Sequence, residues 1–293
     1  MSFPFPELLS GLACFLFCVL LAAIGVRAKV RVLLERVSVY ESGLPVIAES
    51  ITQPAPNNHI QDKRLAVSMT SSAVLFAFLW LPLGSLPPLF SFSWGALALL
   101  GSLAVATGLE GGWHWDGVTR RKTLVLAWLA FSLMFFAWYA RQRGVPGELF
   151  SLDSYVVTPL ADIMGWQGKF GMLLLALAFL LALRGVQQDL ASGLVRIARL
   201  EGDEARTTII LALVRQIWIF AVLGVAVCLF VPFCPAGRLG MSGVTGIVTD
   251  VLTFWLKVLI ADYALWLTPQ LFARLPWVQV PLVGLGVLCI FFA

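Results

Sequence analysis

The segment 208–232 reads TIILALVRQIWIFAVLGVAVCLFVP, 25 residues in which Arg215 is the one charge. About 20 mostly apolar residues, coiled as a helix, cross the hydrocarbon layer of a bilayer. Runs of the same kind occupy 8–26, 65–83, 90–109, 123–140, 168–186, 249–268 and 276–293, so the chain carries eight candidate spans. Lys169 and Arg184 pinch the fifth, but long basic side chains can snorkel to the interface, and the segment is kept as a span. Pro82, Gly84, Pro87 and Pro88 between the second and third spans predict a tight hairpin.

The composition agrees. Of 293 residues, 60% are hydrophobic and 12% charged, about half the charge of a typical soluble domain. The mean hydropathy is +0.91. A soluble globule would have to show this apolar surplus to water, and a disordered chain needs the opposite balance. The apolar residues come in long blocks rather than in alternating strands of about ten residues, which excludes a transmembrane barrel. The expected fold is an all-α polytopic bundle, with residues 1–293 forming one integral membrane domain.

The basic residues orient it. The odd-numbered connections hold Arg27, Lys29, Arg31, Arg36, Lys63, Arg64, Arg120, Arg121, Lys122, Arg184, Arg196, Arg199, Arg206 and Arg274. The even-numbered ones hold Arg141, Arg143, Lys169 and Arg238. Fourteen against four puts the odd connections in the cytoplasm and both termini outside, as expected for an inner (cytoplasmic) membrane protein. No Lys or Arg precedes the first apolar block, so that block is expected to stay as an anchor rather than leave as a signal peptide. The net charge of +4 is explained by this topology and is no nucleic-acid signal. Cys14, Cys18, Cys228, Cys234 and Cys289 form no C-x-x-C pair, so neither a disulfide framework nor an iron–sulfur site is expected in this chain.

The first connection is more than a loop. Val30, Leu33, Leu34 and Val37 recur at helical spacing, which predicts a short amphipathic helix in the interface, broken at Ser42-Gly43-Leu44-Pro45. It serves either as a plain juxtamembrane anchor or as a docking platform for a cytoplasmic partner.

Charge inside the membrane costs roughly 2.5–3.5 kcal/mol per residue on insertion scales, so each instance needs a partner or a purpose. Lys257 falls near the middle of the seventh span, with Asp250 two turns before it on nearly the same face and Asp262 on a different one. Arg215, in the first third of the sixth span, is a candidate partner for Asp262. Glu110 closes the third span beside Gly111-Gly112 and Trp113-His114-Trp115-Asp116. Two readings stand: a polar axis through the bundle used for ion movement or coupling, and a buried ion pair that fixes helix packing. There is no phosphate-cradling glycine loop, nucleophile elbow or His/Asp metal cluster to suggest catalysis. His59 and His114 are the two histidines, too few for a lipid-modifying metalloenzyme or a haem pair.

Three stretches resemble one family. Thr107-Gly108-Leu109-Glu110-Gly111, followed by Asp116-Gly117-Val118-Thr119-Arg120-Arg121, is similar to the S-G-L-D-x-G and I-G-x-S-R-E of energy-converting hydrogenases. Phe254-Trp255-Leu256-Lys257-Val258 and then Phe272-Ala273-Arg274-Leu275 resemble the family's lysine-bearing span and its A-R-L-R exit. Gln188-Asp189-Leu190-Ala191 and then Glu201-Gly202 fall where the family has P-F-D-L-x-E-A-E and E-G. With eight spans and an amphipathic first connection, the chain looks like a divergent copy of the membrane subunit next to the redox module in complex I, group 4 hydrogenases and formate hydrogenlyase. It departs from the family at Arg184, at Gln187-Gln188 and at Ala191-Ser192-Gly193, where the family carries a glutamate, P-F and E-A-E.

The resemblance implies a membrane anchor and coupling subunit with no cofactor of its own. It implies cytoplasmic partners that hold iron–sulfur clusters and a NiFe or quinone site, and antiporter-like membrane neighbours that move H⁺ or Na⁺. Under it, Arg36, Glu41, Arg120, Arg121, Asp189, Arg196, Glu201, Asp203 and Glu204 line the docking face. Glu110, Arg215, Asp250, Lys257 and Asp262 form the intramembrane polar link. The rival expectation is a stand-alone secondary transporter, which predicts an internal repeat and helices broken near mid-membrane.

Overall fold

The structure is a computed structural model of the chain, and it describes residues 20, 23–25, 27, 58–83, 93–111, 117–145, 150–197, 203–267 and 276–292. Among those residues the regular secondary structure is all helical. The elements are α1 (Asn58–Phe78), α2 (Gly95–Gly111), α3 (Gly117–Gln142), α4 (Leu152–Val157), α5 (Leu160–Ile163), α6 (Trp166–Ile197), α7 (Asp203–Phe230), α8 (Pro235–Arg238), α9 (Gly243–Leu267) and α10 (Pro276–Phe291). Four stretches among them are long and apolar enough to cross a membrane: Thr119–Gln142, Trp166–Gln187, Ile210–Arg238 and Gly243–Trp266. They coincide with the fourth to seventh expected spans, and the chain is a multi-pass membrane protein. Shorter apolar helical runs, Val67–Phe78, Gly95–Glu110 and Val278–Phe291, match the second, third and eighth. Nearly all of the first, 8–26, and the whole interfacial helix near 30–37 lie outside the described residues.

A helix that is apolar on every face has no side to give to water or headgroups and packs inside its neighbours. α7 is that helix here. Of its apolar stretch 83% is buried, against 28% for α9, which lies at the periphery. Phe230 of α7 meets Phe136 of α3 edge-on at 5.6 Å and Phe179 of α6 at 6.2 Å, while Phe220 meets Trp255 of α9 at 6.3 Å. α1 and α2 pack against each other as the expected hairpin, and α1 also leans on α7.

Successive long helices alternate in direction, so one end of the bundle gathers the α2, α6 and α9 starts and the α3, α7 and α10 finishes. Trp94, Trp138, Trp166, Phe291 and Phe292 stand exposed at that end, and Trp138 stacks on Phe291 at 6.0 Å. Large aromatic rings placed this way are the signature of a headgroup-level belt. α3 stops there because Gly144 takes φ +65°, letting the Val145 N–H bond Ala140 O and the Gly144 N–H bond Arg141 O.

Two helices touch backbone to backbone. A Cβ placed on Gly171 of α6 would lie 2.6 Å from the carbonyl oxygen of Gly286 on α10, and one placed on Gly286 would lie 2.9 Å from that of Gly171. Small residues at such crossings let transmembrane helices approach closely and gain dispersion contact. Gly284, one residue pair away on the same helix, has nothing within 4 Å of the same construction. Overpacking costs about 1–3 kcal/mol. Gly171→Ala and Gly286→Ala are therefore expected to lower the thermal unfolding midpoint in detergent by several degrees, while Gly284→Ala leaves it within about a degree; equal effects at the three positions would contradict the crossing.

Candidate functional site: a buried polar belt

Glu110 is the penultimate residue of α2, where the apolar run ends. Its carboxylate is almost fully buried and takes charge-assisted hydrogen bonds from two cations. The Lys122 ammonium of α3 donates to Oε2, and the Arg215 Nε–H of α7 donates to Oε1. Lys122 is itself buried, and its ammonium sits 5.0 Å from the ring centre of Trp218, one turn along α7 from Arg215. The Trp218 indole N–H in turn points at Leu103 O on α2, at 3.4 Å. One carboxylate thus ties three helices at a depth where an unpaired ion would be strongly unfavourable.

The residue after Arg215 turns the belt toward α9. Gln216 is fully buried, and its amide Nε2 lies 3.3 Å from Asp262 Oδ1. The Gln187 Nε2 of α6 donates to the same oxygen at 2.8 Å and lies 3.1 Å from the Asp262 backbone oxygen. On its other side, Gln187 Oε1 faces Arg184 Nη1 at 3.5 Å, one turn back on α6. Arg184 is 7% exposed, and its Nε–H has no partner among the described residues. Arg121 of α3 then reaches α6, donating to Gly185 O at 3.2 Å. Glu110, Lys122 and Arg215 form one polar cluster and Gln216, Asp262, Gln187 and Arg184 a second, and the two meet at the consecutive residues 215 and 216 of α7 to make a belt across five helices. Arg215 lies five residues inside the apolar limit of α7 and Asp262 four inside that of α9, about 6–8 Å from that end.

This arrangement corrects two expectations. Arg215 pairs with Glu110, not with Asp262, because α2 and α9 approach α7 from different sides and residues 215 and 216 point about 100° apart. Arg184 does not snorkel outward: α6 continues as helix to Ile197, and the side chain turns into the bundle beside Gln187. Lys122, counted in sequence as a loop charge, is also a buried member of the belt.

Asp250 and Lys257 stand apart and serve helix ends. Asp250 Oδ1 accepts the Ala236 N–H in the first turn of α8 at 2.9 Å. Lys257 donates to the Val231 O, at 2.9 Å, and to Phe233 O just past the end of α7, where helix carbonyls lack partners. A cation at a helix C-terminus is also favoured by the helix dipole. These contacts supply a packing reason for both charges.

Of the expected docking face, Arg120 and Arg121 are exposed at the start of α3. Asp189 and Arg196 fall on the last turns of α6, and Asp203 and Glu204 on the first turn of α7, at the same end as the belt. The side chains of those four lie outside the described residues, as do Arg36, Glu41 and Glu201 altogether. The described residues contain no group of three or more His, Cys, Asp or Glu placed to hold a metal ion. No protein-family model matches this chain, and no curated protein matches it.

Replacing one partner of a buried ion pair costs about 3–5 kcal/mol, since the other is left uncompensated, whereas apolar replacement of a whole set is far milder. Glu110→Gln should therefore sharply reduce the folded yield in detergent, and the triple variant Glu110→Leu, Lys122→Met, Arg215→Met should recover much of it. A Glu110→Gln protein as heat-resistant as the parent would refute the pairing.

Proposed function

We propose that this chain is the membrane anchor and coupling subunit of a complex-I-like redox complex, of the kind found in energy-converting hydrogenases and formate hydrogenlyase. In this reading it crosses the inner membrane eight times with both termini outside. The odd connections face the cytoplasm and receive a module carrying iron–sulfur clusters and a NiFe or quinone site. Antiporter-like subunits that move H⁺ or Na⁺ adjoin it in the membrane. The chain itself is not the catalytic subunit.

One observation carries the reading. Glu110, the carboxylate of the Thr107-to-Gly111 stretch, binds two cations at the end of α2, and one of them, Arg215, lies about 8 Å inside the apolar limit of α7 at the end this reading assigns to docking. A charge appearing on a docked redox partner would be felt there through little intervening water, and its sign would bias the pairing of Glu110 with its two cations and of Asp262 with its two amides. Such a bias is a coupling free energy between two sites, and it acts reciprocally. Arg184 stands where the family has a glutamate and Ala191-Ser192-Gly193 where it has E-A-E, so in this reading the chain couples through the field of its remaining charges and amides rather than through those carboxylates.

A second reading, a stand-alone secondary transporter, is motivated by the charged groups buried within the bundle, Lys122, Arg184, Asp250 and Asp262 among them. Flux of H⁺ or Na⁺ into liposomes containing only this chain would establish it.

Mild extraction from native membranes, using an affinity tag on this chain, is expected to recover iron–sulfur proteins and at least one further polytopic subunit. Recovery of the chain alone would reject the anchor reading. Within the recovered complex, Asp262→Asn should leave assembly intact and lower ion translocation per electron transferred at least severalfold; unchanged stoichiometry would remove the belt from the coupling path.

A further inference from the structure

Between α2 and α3 lies a cavity of about 840 Å³ that opens sideways, on the face these helices turn away from the core. Gly101, Ala104 and Gly108 of α2 and Thr119, Thr123 and Ala127 of α3 line it. Two of its three hydroxyls are turned away: Thr107 donates to Leu103 O and Thr123 to Thr119 O, each within its own helix, and the third, Thr119, sits at the Arg120 end. The wall is thus apolar from Leu97 and Ala130 to the Thr119 end, and an occupant needs no polar groups along that stretch. At the α3 start, the groove ends beside Arg120, next in sequence to the lining residue Thr119. By helical angle Arg120 points about 20° from Ala127, on the rim of the same face. It is exposed and makes no ion pair among the described residues. The neighbouring cations are engaged, Arg121 with Gly185 O and Lys122 with Glu110.

An apolar slot in the hydrocarbon layer that ends at a lone guanidinium at headgroup depth is complementary to one kind of molecule. We propose that the α2–α3 groove is a binding site for an anionic phospholipid, its acyl chains lying along Gly101, Ala104 and Gly108 and its phosphate held by Arg120. Charge complementarity favours this occupant over a helix from a second copy or a partner, which would have to bring its own carboxylate to the same rim. The site is independent of the coupling role, because it needs only the membrane and this chain.

The test uses purified full-length protein, stripped of lipid in detergent and offered phosphatidylglycerol or phosphatidylcholine of equal chain length. Binding is read by native mass spectrometry and by the rise in unfolding temperature. The parent protein should retain one phosphatidylglycerol and bind phosphatidylcholine several times more weakly. Arg120→Gln should weaken phosphatidylglycerol about fivefold and leave phosphatidylcholine unchanged. Gly108→Leu, at a position where an added Cβ meets nothing within 4 Å, should block both lipids while leaving the lipid-free unfolding temperature unchanged. If Gly108→Leu does not fold, the exposed Ala104→Phe substitution reads the same slot. Equal binding of the two lipids, or unaltered phosphatidylglycerol retention in both variants, would overturn the proposal. So would the loss of a dimer or of a co-purifying membrane protein in the groove variant, which would identify the occupant as a helix.

Discussion

A carboxylate held in apolar surroundings between two cations is the constraint around which the bundle is arranged. Glu110 cannot sit at the end of α2 unless Lys122 and Arg215 reach it, and their reach fixes how α3 and α7 lie against α2. In water such contacts would be worth little. Here, breaking one of them strands an ion, so the cost of misplacing any of the three helices is high. Dispersion supplies the attraction among these helices, since lipid is as apolar as their side chains, and the ion set supplies register.

The two ends of the bundle are built on different terms. At the belt end, side-chain ions and amides link neighbours across helix faces, and the headgroup charges are basic. At the other end, aromatic rings mark the boundary and backbone groups are finished locally. Asp250 serves the start of α8, Lys257 the finish of α7, and Gly144 closes α3. α7 runs through both regimes as the central, nearly enclosed helix, which is why one polar position on it, Arg215, matters more than several on the outer helices.

Much of the helical layout was legible in the sequence because hydropathy over about 20 residues is a strong one-dimensional signal. Segment 208–232 is an example, and so is the proline-rich hairpin between α1 and α2. Glu110, Arg215 and Asp262 were legible as buried polar residues because a charge in an apolar run stands out. Their pairing was not, since it depends on which face of α7 each neighbour covers, and Arg215 and Gln216 face different helices. Gln187 and Gln216 carry no charge and gave no such signal, although Gln187 stands one turn from Arg184 on the same face. Lys122 was misread as a loop charge because it follows Arg120 and Arg121, and only the rotation of α3 separates an inward lysine from its outward neighbours.

The amide of Gln187 is oriented by its two neighbours: its oxygen faces a guanidinium and its nitrogen faces a carboxylate. Unlike a water molecule or a carboxyl group, an amide does not readily accept a hydrogen ion on one side and release another on the opposite side. The link between Arg184 and Asp262 is therefore made by a side chain that is not itself a proton-relay group. A chain of hydrogen-ion hops along these side chains alone is interrupted at residue 187, whose amide instead holds the Asp262 carboxylate in one orientation.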